Sequence, residues 1–135
     1  MKGLLSDANI EGHVRALARI LDGDAWREVW AALNLSLRFF RDVGLAPNAS
    51  DAAVWSFCQQ EELILLTANR NESGPDSLEA VLRARNSPTS LPVFTLADPR
   101  HFELSREYAE RVAERLLEYL MDIEQFRGAG RLFLP

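Results

Sequence analysis

Lysine is almost missing from this chain: Lys2 is the only one, and every other cationic side chain among the 135 residues is an arginine. A phosphate-binding P-loop needs a lysine between its last glycine and a serine or threonine, and no such run occurs. A receiver-type signalling domain would share the outline of this sequence but needs a lysine late in the chain. Cysteine is just as scarce. Cys58 stands alone, which excludes a disulfide framework and a cysteine-rich zinc site within one chain. Apolar runs long enough to cross a bilayer are missing, so no membrane partner is expected. The opening "MKGLLSDANIEG" turns acidic after two leucines, unlike a signal peptide, and the expected location is the cytoplasm. No Gly-x-Ser-x-Gly nucleophile elbow is present. An excess of positive charge is also lacking: the net charge is −5. Between residues 70 and 106 five arginines meet five acids, which makes a mixed surface rather than a basic groove for nucleic acid.

What is present suits one α/β domain over residues 1–135. "KGLL" reads as a first strand. Ile10, Val14, Leu17, Ala18 and Leu21 follow with helical spacing. Trp26, Val29, Trp30 and Leu33 form a second helical stripe, expected in the core or an interface rather than as a platform for bases. "LSLRFF" (35–40) is predicted as the second strand. Ser50 caps a helix over "DAAVWSFCQQ", in which Cys58 shares the core face with Val54. "LILLT" (63–67) and "LPVFTLA" (91–97) are the third and fourth strands. Between them a helix follows Pro75, with Asp76 and Glu79 at capping-box spacing. Leu104, Tyr108, Val112, Leu116, Leu120 and Ile123 predict one long helix over about 104–125. "RLFLP" is expected as a short edge strand. His13 reads as a surface residue and His101 as a loop residue.

Strands alternating with helices imply a mainly parallel sheet. Uncharged strands such as "LILLT" are those expected with both faces covered. In such sheets ligands bind beyond the carboxyl ends of the strands. There the sequence delivers polar residues four times: Ser6-Asp7-Ala8-Asn9, Arg41-Asp42, Thr67-Ala68-Asn69-Arg70-Asn71, and Asp98. Carboxylates with amide and hydroxyl oxygens are hard ligands, suited to Mg²⁺ or Mn²⁺. Asp7 and Asp51 are the leading candidates to hold such an ion, with Asn9, Thr67, Asn69 and Asn71 in support; Asp42 and Asp98 are weaker ones.

The order "LLSDAN", "SDAAVW", "ILLTANRN" resembles the PIN-like superfamily, closest to the small bacterial branch that opens with a Leu-Leu-Asp-Glu-Asn type motif. The resemblance covers about residues 1–100. It implies a three-layer sandwich around a mainly parallel sheet, and a Mg²⁺- or Mn²⁺-dependent ribonuclease of toxin-like type. It assigns the catalytic and metal-binding roles to Asp7 and Asp51, and sets Asn9, Thr67, Asn69 and Asn71 around them, with Arg70 meeting a phosphate. RNA, an antitoxin-like protein and a second copy of the chain are the partners it admits. The sequence departs from the motif at three places: Asn69 and Asn71 stand where acids are expected, and Ala8 stands in place of the glutamate. Glu72, Asp76 and Asp98 are the acids near enough in sequence to compensate. The alternative reading is therefore a degenerate, non-catalytic PIN-like protein that acts as a binding module. Each leading acid also has a structural role open to it, Asp7 as a helix cap and Asp51 as a charge in a first helical turn.

Overall fold

In the computed structural model, which describes residues 1–71 and 74–135, the short apolar runs become the strands of one sheet, of which β1, β3 and β4 are uncharged. Strand β1 spans Gly3–Ser6, β2 Ser36–Arg38, β3 Leu63–Thr67, β4 Val93–Leu96 and β5 Arg131–Leu134. Their order is β2-β1-β3-β4-β5, and every neighbouring pair is parallel. The sheet's two faces follow from the alternation of side chains along a strand. Leu4, Ile64, Leu66 and Phe94 enter one core, while Leu5, Leu63, Leu65 and Val93 enter the other.

Helices α1 (Glu11–Leu21) and α7 (Arg106–Met121) cover the first face; α4 (Asp51–Gln60) and α5 (Leu78–Arg85) cover the second. This is the expected α/β arrangement, with helices on both sides of a parallel sheet. Two serines start the helices of the second face. Ser50 Oγ accepts from Ala53 N at 3.1 Å and Ser77 Oγ from Ala80 N at 3.2 Å. The cap of α5 is therefore Ser77, not the predicted Asp76–Glu79 pair, and Glu79 is released for another contact. Among the described residues no helix is long and apolar enough to cross a membrane.

Three local expectations are corrected and one is met in part. The second strand is only Ser36–Arg38, because Phe40 turns into the second core and opens the short helix α3 (Phe40–Val43). The stripe of α2 (Arg27–Leu33) lies at the edge of the first core: Trp30 and Leu33 pack against it half-buried and Val29 is exposed. The long C-terminal helix is divided. Asp98 caps α6 (Pro99–Leu104), and Ser105 then leaves helical geometry to cap α7, its Oγ accepting from Tyr108 N at 3.1 Å. A serine that bonds the backbone ahead of it competes with helix continuation. Leu104 is consequently carried off the stripe and is 73% exposed, while Tyr108, Val112, Leu116, Leu120 and Ile123 are buried. Finally, His101 lies within α6, stacked on Tyr108 with ring centroids 4.0 Å apart, and His13 is half-buried with Nε2 2.8 Å from Glu103.

Cys58 sits in the second core, as its spacing predicts. Burial, reinforced by the charge of Asp7, pushes its thiol from an ordinary 9.0 up to about 12. The thiolate is the reactive form, so native protein at pH 8 is expected to resist alkylation by iodoacetamide and to react only once unfolded. The sign for stability is fixed by the raised value. The unfolded chain loses this proton first, so the thiol's contribution is intact below pH 9 and is lost between pH 9 and about 12. Rapid labelling of the native protein would show that the helix over Cys58 opens.

Candidate functional site

The chain runs from β1 outward to β2, then crosses back to place β3 on the other side of β1. In open parallel sheets such a reversal, here beyond the carboxyl ends of β1 and β3, is the usual ligand position. Asp7 directly follows β1, and its backbone N–H donates to Leu66 O at 2.8 Å, which joins the two strand ends. Its Oδ1 accepts from Ala8 N at 2.8 Å, capping the turn Ala8–Ile10. Its Oδ2 accepts from Thr67 Oγ1 at 2.7 Å. The Thr67 hydroxyl oxygen accepts in turn from Asn69 N at 2.9 Å. The Asn69 side-chain Nδ2 donates to both carboxylate oxygens of Asp51, at 3.2 and 3.1 Å. A continuous hydrogen-bonded chain therefore links Asp7, Thr67, Asn69 and Asp51. Thr67 is fully buried and the polar run after β3 satisfies it. That is why a strand with no charge ends in amides.

The structure brings together four of the predicted residues and leaves the rest at the margin. Asn71 touches the network through its backbone N–H, which donates to Asn69 Oδ1 at 2.9 Å. Arg70 is exposed and has no ion-pair partner among the described residues. Asn9 is exposed in the turn after Asp7. Asp42 and Asp98 do not join the network: Asp42 Oδ2 accepts from Phe39 N and Asp98 Oδ1 from His101 N, so both act as helix caps. Asp76 is exposed, and Glu72 lies outside the described residues.

Whether a divalent cation fits is decided by Asn69. Its Oδ1 is held by the Asn71 N–H, so the amide must present its N–H face to Asp51. Mg²⁺ and Mn²⁺ require oxygen ligands, and this amide is turned the wrong way to be one. Among the described residues no group of three or more His, Cys, Asp or Glu side chains is placed to hold an ion. The residues as arranged do not fit the cation that the resemblance implies. The Asn69 Nδ2 donors meet the Asp51 charge directly.

One residue of this region escaped sequence reasoning. Arg131, from β5, has a side chain only 9% exposed. Its Nε and Nη2 reach Glu79 Oε1, both at 2.6 Å, and its Nη1 donates to the backbone oxygen of Asn69 at 2.8 Å and to Thr95 Oγ1. The guanidinium thus ties β5, α5 and β4 to the loop that carries Asn69. The available signal was a charge at the head of an otherwise apolar strand, "RLFL", where a solvent-facing residue would be the ordinary assumption. Compared with family models, curated proteins and solved structures, the chain matches none.

Proposed function

We propose that this chain is a PIN-like protein whose sheet edge binds a partner without cleaving it. The observation that carries the reading is the pair of hydrogen bonds from Asn69 Nδ2 to Asp51. An aspartate at position 69 would face Asp51 with like charge and would need a cation between them; asparagine removes that need. The partly exposed carboxylates of Asp7 and Asp51 and the exposed Arg70 are among the charged groups left at the edge. RNA held without cleavage and an antitoxin-like protein are the occupants that the resemblance implies.

A second reading, a Mg²⁺- or Mn²⁺-dependent ribonuclease, is favoured by the hydrogen-bonded link between Asp7 and Asp51 at one sheet edge. The two are separated by one set of measurements on wild type, Asn69→Asp and Asp7→Asn. Wild-type protein is expected to leave single-stranded RNA intact with Mn²⁺, and its melting temperature should not respond to the ion. Asn69→Asp should be less stable without metal, because two carboxylates replace one hydrogen-bonded pair, and should be restabilised by Mn²⁺ through preferential binding to the folded state. Its affinity for Mn²⁺ should exceed the wild type's by about tenfold, since affinity rises with ligand charge. Wild-type cleavage that EDTA abolishes and Asp7→Asn removes would overturn the non-cleaving reading in favour of the nuclease.

A further inference from the structure

A groove of about 600 Å³ lies between α1 and the corner where α6 meets α7, and none of Asp7, Asp51, Thr67 and Asn69 lines it. Its origin is sequence-local. Gly12 and Ala16, one turn apart on α1, leave that face low, and a Cβ built on Gly12 would meet nothing within 4 Å. Ser105 ends α6 on the other side and swings Leu104 out to the rim instead of letting it fill the gap.

The lining is mixed in a definite way. Ile20 and Phe102, both buried, form the apolar wall with Ala16 and Leu104. Glu103 is the only acid in the lining, with its Oε1 2.8 Å from His13 Nε2. Two arginines, Arg19 and Arg106, complete the lining. Arg106 shares its charge with Glu110 at 3.3 Å, whereas Arg19 has no ion-pair partner among the described residues. On a chain of net charge −5, this groove is lined by two arginines and one acid, and Arg19 is the arginine without an ion-pair partner among the described residues. Its volume lies in the range of small-molecule sites, which combine apolar walls with a few polar groups that orient the ligand.

The geometry points to a binding site for a small amphipathic carboxylate, its apolar body against Ile20, Phe102 and Leu104 and its acid group on Arg19 and Arg106. This lining shares no residue with the hydrogen-bonded network at the sheet edge, and the assignment does not rest on the function proposed for that edge. Leu104, the most exposed of the large apolar side chains among the described residues, gains cover when the ligand is bound.

The test is an NMR titration of ¹⁵N-labelled full-length protein with octanoate, octanol and acetate in parallel. Octanoate is expected to shift the amides of Gly12, Ala16, Ile20, Phe102 and Ala109 together. Octanol should bind the same residues about tenfold more weakly, because it lacks the charge that the arginines recognise. Acetate should leave them unmoved. Arg19→Glu, an exposed change that spares the core, should weaken octanoate by about tenfold or more and leave octanol unaffected. Ala16→Trp, which fills the groove, should abolish both. Equal binding of octanol and octanoate, or octanoate shifts outside the groove, would overturn the assignment. So would shifts of these amides with protein concentration alone, which would show a second copy of the chain in the groove.

Discussion

Replacing Leu116 by alanine is expected to destabilise the protein by about 3–5 kcal/mol, the upper part of the range for a leucine truncated in a rigid core. Leu116 is 0% exposed and sits at the middle of α7, where it meets the first face of the sheet. Its neighbours Val112, Ala113 and Leu117 are also buried on the same helix, so little can move to close the cavity. Thermal or urea unfolding of the wild type and the variant measures the effect. Leu104→Ala is the internal control. Although the sequence places Leu104 on the same stripe, its side chain stands in solvent at the α6–α7 corner, and its loss should cost less than about 0.5 kcal/mol. Equal losses at both positions would mean that α6 and α7 form one continuous helix.

The second large effect is expected at Arg131. Arg131→Met should cost about 3 kcal/mol, at the low end for one partner removed from a buried ion pair, because Glu79 keeps 27% of its exposure. The loss has two parts. Glu79 is left as a half-buried charge without a counter-ion, and the Asn69 carbonyl and Thr95 hydroxyl lose their shared donor. Coupling Arg131→Met with Glu79→Met should recover most of the stability, since removing both charges removes the unpaired one. The hydrogen bonds to Asn69 and Thr95 are not recovered in that double variant. Its side-chain amide signal for Asn69 should therefore broaden or move even where the melting temperature is restored. Arg131→Lys keeps the charge but not the planar fork that serves three partners at once, and should fall between wild type and Arg131→Met. A single variant as stable as the wild type would show that water replaces the guanidinium at no cost.

The alternation of apolar runs with helical stripes was sufficient by itself for the α/β class and for β1, β3, β4 and β5. Strands buried on both faces must be uncharged, and β1, β3 and β4 are; β5, at the sheet edge, carries Arg131. Ser50 and Asp51 at the head of α4, and the core place of Cys58, were equally legible, because capping and helical periodicity act over a few residues. The division between α6 and α7 was not. The stripe of Leu104, Tyr108 and Val112 is periodic, and only the cap at Ser105 breaks it; a hydrophobic period cannot report a cap inside itself.

The candidate site divides in the same way. The order of strands put Asp7, Thr67 and Asn69 at one edge before any coordinates, because a parallel sheet gathers its carboxyl ends. Local sequence also supplied the asparagines that depart from the acidic motif. Which way the Asn69 amide turns was a tertiary matter, decided by Asp51 from a helix eighteen residues away and by the backbone of Asn71. The Arg131 anchor lies further still, sixty-two residues along the chain from the carbonyl it holds. The groove beside His13 likewise exists only where α1 meets the α6–α7 corner. Periodicity and capping depend on neighbours in sequence and can be read there; the direction of a hydrogen bond across the fold depends on neighbours in space.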